Sequence, residues 1–324
     1  MAPGQYEYDL FNVTFPSPYV AQVEINRPQK LNAFFEQMWF SLGAIFRKLS
    51  HDPEVRVVIL TGAGDRAFTS GLDVQAASQN GALAQSPADS DVGRKATGIM
   101  RHIQEFQAEI SAIEKCEKPV IAVLHGISFG LAIDMTTCCD IRFCSKDTRF
   151  SVREVDLGLA ADIGTLTRLP YANVSMSWVK DVCLTAREFG ADEALKVGYV
   201  SGVYDTKAAA LDRALEVAKL IATKSPIAVQ ATKEVINYSR DHSVDDGEQC
   251  RLDECSSRQT DGCRSQICTS IECEYAPNSG HERCNACWFA EAEADVRSLV
   301  VIHNQILKGK AFSVHMCSHA KYST

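Results

Sequence analysis

The amino-acid sequence predicts an α/β fold, and two observations support this prediction. Short apolar runs such as VVILT, which ends at Thr61, and VIAVL, which ends at Leu124, have the continuous hydrophobicity of strands buried on both faces. These runs alternate with longer segments in which apolar residues recur at helical spacing, as at Ile103, Phe106 and Ile110. Alternation of strands and helices is typical of a sheet with helices packed against it.

The predicted elements follow in order along the first 249 residues. Residues 19–25 alternate between apolar and polar and predict a half-buried strand, and Asn32 is the expected N-cap of an amphipathic helix over 33–49. Residues 76–92 are rich in Ala, Ser, Gln and Asp and predict a mobile surface segment. The further predicted strands cover 55–61, 119–124, 140–143 and 149–152, and the further helices cover a stripe from 103 to 113, then 208–223 and 227–239.

Composition and motifs exclude several classes of function. The 324 residues carry a net charge of −8, which disfavours electrostatic binding of nucleic acid, and no apolar run approaches the roughly 18 residues of a membrane helix. GxGxxG, Walker and HExxH motifs are absent, and no histidines pair at metal spacing in the first 249 residues. His125 follows a buried run and is predicted to be a hydrogen-bonded structural histidine. No secretory signal or Arg-rich transit peptide is visible at the N-terminus.

Cysteine usage divides the chain into a body, residues 1–249, and a divergent tail, residues 250–324. Five of the 13 cysteines lie in the body, in apolar stretches, and are expected to be buried free thiols in a reducing compartment. Residues 250–287 hold seven cysteines and few aliphatic residues, so we predict no packed domain there. The alternative to an unpacked segment is a zinc site at His281, Cys284 and Cys287, whereas a disulfide framework is disfavoured. Residues 288–305 regain partial helical periodicity.

Three carboxylates lie in apolar surroundings: Asp134 in FGLAIDM, Glu154 in FSVREVDLG and Asp162 in LGLAADIGTL. A buried carboxylate costs several kcal/mol unless it is paired or hydrogen-bonded, so such positions are often capping, paired or functional. Spacing alone leaves open whether these residues are helix caps and surface carboxylates. It also leaves open whether Glu154 or Asp156 faces a pocket.

Three segments together resemble the enoyl-CoA hydratase/isomerase (crotonase) superfamily, from about residue 8 to about 247. They are AFTSGLD at 67–73, KPVIAVLHGISFGLAIDMTTCCDIRFCSKDTRF at 118–150, and 185–200, which contains TAR, EAL and GYV. Within the superfamily, 154–170 and 225–244 resemble the Δ3,5-Δ2,4-dienoyl-CoA isomerases. The resemblance implies a crotonase (ClpP-like) fold of repeated ββα units, acting on an acyl-CoA ester without a metal or redox cofactor.

The resemblance also implies roles for individual residues. Glu154 is expected to take a proton from C2 of the substrate, Asp162 to deliver one at C6, and Asp134 to hold and tune both. Two backbone N–H groups, at Leu72 and Leu131, are expected to form an oxyanion hole for the thioester oxygen. The implied segments that bind the substrate consist of Ser70, Gly71, Leu72, Asp73, Val74 and Leu131. Ordinary hydratases lack an acid at the position of Asp162, which makes it the discriminating residue.

The sequence departs from the family pattern where Leu131 and Ala132 replace two glycines. We expect these side chains to add about 1–3 kcal/mol of backbone strain or to block the pocket. The alternatives left open are therefore a Δ3-Δ2-enoyl-CoA isomerase or hydratase, and a catalytically impaired crotonase-like protein. The resemblance further implies a homotrimer or homohexamer in the peroxisome or mitochondrion, although the chain does not end in a Ser-Lys-Leu type of peroxisomal signal.

Overall fold

A computed structural model describes residues 6–80 and 91–246, and the structural statements below concern these residues. The strands are β1 (Phe11–Ser17), β2 (Val20–Ile25), β3 (Val57–Gly62), β4 (Ala67–Thr69), β5 (Val120–Leu124), β6 (Ile127–Phe129), β7 (Ile141–Ser145), β8 (Arg149–Ser151), β9 (Phe189–Gly190) and β10 (Gly202–Tyr204). The α-helices are α1 (Glu36–His51), α2 (Val74–Asn80), α3 (Val92–Ser111), α4 (Leu131–Thr137), α5 (Thr165–Arg168), α6 (Met176–Thr185), α7 (Ala191–Lys196), α8 (Lys207–Ala222) and α9 (Pro226–Tyr238). None of the helices in these ranges combines the length and apolarity needed to cross a membrane.

The strands form two sheets that the chain visits in turn. The larger sheet has the order β1-β2-β3-β5-β7-β10, in which only the β1–β2 pair is antiparallel. The smaller sheet has the order β4-β6-β8-β9, with β4, β6 and β8 parallel. Each of β3, β5 and β7 in the larger sheet is followed directly by a strand of the smaller sheet and then by helix. The architecture is therefore a repeated ββα unit, and the predicted α/β class is confirmed.

The larger sheet is covered on both faces, which explains its uninterrupted apolar strands. Val58 and Leu60 of β3 join the main core cluster, whereas Val57 and Ile59 join a second cluster on the opposite face. The second cluster includes an alanine stripe on α8 at a spacing of four residues, formed by Ala210, Ala214, Ala218 and Ala222. Because alanine side chains are short, α8 can pack closely against the sheet.

Most predicted elements of the body are present with shifted ends, and two local predictions are wrong. Asn32 does not cap α1, which begins after Phe35; Asn32 has a left-handed backbone (φ 56°) and is fully buried. Its amide instead donates to the carbonyl oxygens of Ala63 and Ala67, at 3.0 and 2.9 Å. These bonds link the segment before α1 to the end of β3 and the start of β4. Residues 76–80 belong to α2 rather than to a mobile segment. Asp91 caps α3 and Val92 begins it, and the remaining residues of that segment, 81–90, lie outside the described residues.

Predictions for the buried residues of the body are confirmed in part. Cys116, Cys138, Cys139, Cys144 and Cys183 are buried free thiols. His125 is buried as expected, and the backbone of Gly64 acts on its pKa through a hydrogen bond. Neither ring nitrogen has a partner at standard hydrogen-bond geometry among the described residues, so the predicted hydrogen bonding stays a prediction. Burial lowers the pKa of His125 to about 4, which keeps the ring neutral. The boundary after residue 249, the zinc alternative at His281, Cys284 and Cys287, and the helical periodicity of 288–305 lie outside the described residues.

Candidate active site

The candidate site lies where three neighbouring strands of the smaller sheet end. β4, β6 and β8 are adjacent and parallel, so their carboxyl ends meet at one edge. Ser70 follows β4, Gly130 follows β6, and Glu154 lies three residues beyond β8. Crevices outside the carboxyl ends of parallel strands are the usual ligand sites of α/β sheets. The fold thus brings together three segments that are far apart in the sequence.

Asp134 is the most deeply buried carboxylate of the site. It lies on α4 with 2% of its surface exposed. Its Oδ1 atom accepts hydrogen bonds from the backbone N–H of Thr165 at 2.6 Å and from Thr165 Oγ1 at 2.8 Å. Burial raises the pKa of Asp134 to about 7, and the neighbouring Glu154 carboxyl group adds to the increase. Asp134 therefore changes its protonation state near neutral pH.

Glu154 begins a short 3₁₀ helix after β8 and points its carboxyl group towards Gly130. A Cβ atom placed on Gly130 would lie 3.3 Å from Glu154 Oε1, which shows how closely the carboxylate approaches this backbone. Its Oε2 atom is buried and has no hydrogen-bond partner among the described residues. Burial raises the pKa of Glu154, and the negative charge of Asp162 raises it further. A buried carboxylate oxygen without a partner is costly, and it is suited to accept a proton from a ligand.

Asp162 and Asp156 differ from these two residues because both are exposed. The backbone of Asp162 is held in place, since its carbonyl oxygen accepts a hydrogen bond from Gln107 Nε2 of α3 at 2.7 Å. The charge of its carboxylate raises the pKa of Glu154, so the two acids are near enough to interact electrostatically. Asp156 instead forms a surface ion pair with Arg153 at 3.2 Å. Glu154 is thus the more buried of these two acids, and its assignment to the site stays a prediction.

The loop after β4 presents one backbone donor. The N–H of Ser70 donates to Leu31 O at 2.9 Å, and the N–H of Gly71 donates to Thr69 Oγ1 at 3.1 Å. The N–H of Asp73 donates to Phe34 O at 2.7 Å. The N–H of Leu72 lies between these bonded groups and has no acceptor among the described residues. The loop is therefore fixed on both sides of an available donor.

A second donor lies beside the first, at the start of α4. Leu131 is the first residue of α4, so its N–H has no intrahelical acceptor, and no other described acceptor reaches it. A Cβ atom placed on Gly71 would lie 3.5 Å from Leu131 N, so the two loops touch. Gly71 permits this approach because it has φ 95° and no side chain. The two N–H groups that the resemblance implied for the oxyanion hole thus belong to adjacent loops.

Two other residues of the first loop have structural roles. Asp73 Oδ2 forms an ion pair with Arg27 at 2.8 Å, and Asp73 Oδ1 accepts the N–H of Ala76 at 3.0 Å. The Ala76 N–H in particular lowers the pKa of Asp73. Val74 begins α2 and is half exposed. Asp73 therefore anchors the loop through both carboxylate oxygens, and its assignment to the substrate-binding segment stays a prediction.

A family model described as enoyl-CoA hydratase/isomerase matches residues 17–256. The chain belongs to this family. The mitochondrial Δ(3,5)-Δ(2,4)-dienoyl-CoA isomerase of Rattus norvegicus is 44% identical over 243 residues, which are 75% of this chain and 73% of the relative. The peroxisomal Δ(3,5)-Δ(2,4)-dienoyl-CoA isomerase of Arabidopsis thaliana is 42% identical over 227 residues, 69% of this chain and 79% of the relative. With such relatives, this member of the enoyl-CoA hydratase/isomerase family is an isomerase.

Solved structures agree on the fold of the family. An enoyl-CoA hydratase from Bacillus anthracis has a TM-score of 0.67 at 24% identity and covers 85% of this chain and 100% of its own. A probable enoyl-CoA hydratase/isomerase from Mycobacterium abscessus has a TM-score of 0.66 at 28% identity and covers 78% and 91%. The predicted crotonase fold is thereby confirmed for the body of the chain.

The strain expected at Leu131 and Ala132 is absent. Both residues lie in the right-handed helix α4, and neither has a positive φ, whereas Gly130 has φ 54°. Leu131 is 4% exposed, and its side chain belongs to the main core cluster together with Ala132. The demanding backbone conformation is thus at Gly130, which this member of the family retains, so the expectation of a strained loop is wrong.

Replacing Leu131 with glycine should therefore weaken the protein without activating it. Loss of a buried leucine costs about 2–5 kcal/mol, and glycine in a helix adds about 1 kcal/mol. We expect urea unfolding to shift by that amount while kcat/KM stays equal or falls. A rise in kcat/KM would show that the leucine side chain obstructs the pocket after all.

Sequence reasoning missed two residues that shape the site. Thr165 supplies both hydrogen bonds to Asp134, and Gln107 holds the backbone of Asp162 from a different helix. Both interactions join segments more than 30 residues apart in the sequence. A buried acid does predict a nearby donor, but nothing in the sequence indicates which of several threonines provides it.

Proposed function

We propose that this chain converts 3,5-dienoyl-CoA into 2,4-dienoyl-CoA in the β-oxidation of fatty acids. The observation that carries the proposal is the buried Oε2 atom of Glu154, which has no partner among the described residues, together with the electrostatic interaction between Glu154 and Asp162. The names of the relatives, Δ(3,5)-Δ(2,4)-dienoyl-CoA isomerases, support the choice of substrate.

The reaction moves two conjugated double bonds by one carbon each. Glu154 removes a proton from C2, and the C2–H electron pair forms the C2=C3 bond. The C3=C4 pair then becomes C4=C5, and the C5=C6 pair takes a proton from Asp162 at C6. Negative charge spreads onto the thioester oxygen during these transfers, and the N–H groups of Leu72 and Leu131 would stabilise it. No electrons or water are gained or lost overall, so the chemistry requires no redox cofactor, and in this proposal the two N–H groups stabilise the oxygen charge without a metal.

The two proton transfers need groups in opposite protonation states. Glu154 must be ionised to accept the first proton, whereas Asp162 must be protonated to deliver the second. Burial, rather than a charge on Asp162, therefore makes Glu154 a stronger base than an ordinary glutamate during the reaction. Glu154 raises the pKa of Asp134, and because repulsion between two carboxylates is mutual, an ionised Asp134 would add to the basicity of Glu154. Asp162 is more exposed, so in this proposal it exchanges protons with solvent between turnovers.

The proposal is tested by ultraviolet detection of a conjugated 2,4-dienoyl thioester formed from a 3,5-dienoyl-CoA. The same preparation is then given a 3-enoyl-CoA and a 2-enoyl-CoA to measure Δ3-Δ2 isomerase and hydratase activity. Dienoyl isomerisation faster than both supports the proposal. A protein active only on the simple enoyl-CoA esters, or on none of the three, contradicts it. Asp156→Asn is the matched control, because it removes an exposed acid two residues from Glu154.

The pH profile should show the altered acidity of Glu154. Activity requires its ionised form, and its pKa lies above the ordinary value of 4.5, so protonation removes the base at a higher pH than for a solvated glutamate. We expect kcat/KM to fall on acidification, with a midpoint above 4.5 that Asp156→Asn does not move. A midpoint at or below 4.5 would contradict the assignment of Glu154 as the base.

The proposal also covers the cellular compartment and the oligomeric state. The relatives are named mitochondrial and peroxisomal, and we propose that this isomerase acts in one of these compartments. We also propose that it forms a homotrimer or homohexamer, which light scattering of the full chain can measure. Monomer alone would contradict this assembly.

A further inference from the structure

One residue supplies both of the hydrogen bonds that reach Asp134 Oδ1. Thr165 is fully buried and is the first residue of α5. Its N–H lies in the first turn, where the helix offers no acceptor, and it donates to Oδ1 at 2.6 Å. Its Oγ1 donates to the same oxygen at 2.8 Å. An ionised carboxylate accepts such bonds from both donors, and bonds to the charged form are the stronger ones.

We propose that Thr165 is a positioning residue that stabilises the ionised form of Asp134, so that the charge of Asp134 strengthens Glu154 as a base. The inference rests on the proposed function for its consequence in catalysis. The hydrogen bonds oppose the effect of burial, which favours the neutral acid. The ionised Asp134 repels negative charge on Glu154 and thereby increases the affinity of Glu154 for a proton.

The ionisation of Asp134 depends mainly on Glu154, Arg168 and Thr165, because the other ionisable groups around it are neutral. Burial raises the pKa of Cys138 and Tyr199 to about 12 and that of Cys183 to about 11, so these three groups are neutral at working pH. The remaining charged neighbours are Glu154, which opposes ionisation of Asp134, and Arg168, which favours it. The charge of Arg168 is shared with Glu114, to which it donates a hydrogen bond at 2.9 Å. Thr165 is thus the direct and specific support of the Asp134 charge.

The test compares substitutions at two threonines of the same helix. Thr165→Val keeps the shape of the side chain and replaces the hydroxyl donor with a methyl group. Thr165→Ala also removes the hydroxyl donor but adds no methyl group in its place. Thr165→Ser restores the donor. Thr167→Val is the matched control, because Thr167 Oγ1 donates to Gly164 O at 3.0 Å and does not contact Asp134. Thermal unfolding of the full chain identifies the variants that are folded.

The first measurement is the titration of Asp134 in the resting enzyme. Carbon-13 NMR of labelled aspartate Cγ reports its pKa, with the signal assigned by its loss in Asp134→Asn. We expect Thr165→Val and Thr165→Ala to bind the proton at least tenfold more tightly, a pKa increase of about 1. Thr165→Ser and Thr167→Val should titrate as the wild type does. An unchanged Asp134 titration in both hydroxyl-free variants would overturn the proposal.

The second measurement is the pH dependence of kcat. We expect kcat of Thr165→Val to fall about tenfold at neutral pH and to recover at higher pH, where Asp134 ionises, while KM changes little. A loss that is equal at every pH would indicate a merely structural role and would also overturn the proposal. The NMR titration needs no substrate. If the wild type instead forms no 2,4-dienoyl-CoA, the proposed function fails while the titration still tests Thr165.

Discussion

Replacing Glu154 with glutamine should lower kcat for the isomerisation of a 3,5-dienoyl-CoA by at least ~10². The substitution preserves the shape of the side chain but removes its capacity to accept a proton. Because Oε2 is buried without a partner among the described residues, the loss should come from chemistry rather than from a broken structural bond. The measurement is the ultraviolet rate at saturating substrate. Asp156→Asn, two residues away, should retain the wild-type rate.

Asp162→Asn should cause a loss of similar size through a different step. In this variant Glu154 can still remove the C2 proton and return it, so the substrate should exchange hydrogen at C2 in deuterated water without forming product. Glu154→Gln should abolish that exchange. Mass spectrometry of the recovered ester measures both. Full activity in Asp162→Asn, or C2 exchange in Glu154→Gln, would contradict the assigned roles.

The buried strands were the most predictable part of the fold. The residues of β3 and β5 are apolar on both faces because helices and a second sheet cover them, and this leaves a continuous signal in the sequence. The predicted start of α1 is wrong because asparagine is a common N-cap residue and Asn32 precedes the helical pattern. Its side chain is used instead for contacts with Ala63 and Ala67, about 30 residues further along the chain. Such contacts are set by the tertiary fold, and local pattern cannot reveal them.

The candidate site, like the fold, could be predicted from the sequence only in part. Apolar surroundings indicated Asp134, Glu154 and Asp162, and the resemblance to a family suggested a role for each. Their different degrees of burial could not be predicted, because burial depends on the loops and helices that cover each residue. Thr165 was missed for this reason. The expected strain at Leu131 was wrong because the glycine that needs a positive φ is its neighbour, Gly130.

Gly71 lies where the loop after β4 meets the end of β6, so a side chain at this position should disturb both candidate oxyanion donors. A Cβ atom at this residue would lie 2.9 Å from the carbonyl oxygen of Phe129 and 3.5 Å from the nitrogen of Leu131. The first distance is too short for a carbon and an oxygen that are not bonded, and both contacts are with backbone. The end of β6 and the loop after β4 must therefore separate if a methyl group is added.

Gly71→Ala should consequently lower kcat/KM by about 10²–10³, the usual effect of losing one oxyanion donor. Its φ of 95° adds backbone strain, so a control must separate strain from misplacement. Gly198→Ala provides that control, because Gly198 has φ 83° and a Cβ atom there would meet nothing within 4 Å. We expect both variants to lose stability in urea, Gly71→Ala by the larger amount because of its clash with Phe129, and only Gly71→Ala to lose activity, mainly in kcat. A Gly71→Ala enzyme within threefold of the wild-type kcat/KM would show that the N–H groups of Leu72 and Leu131 do not act together on the thioester oxygen.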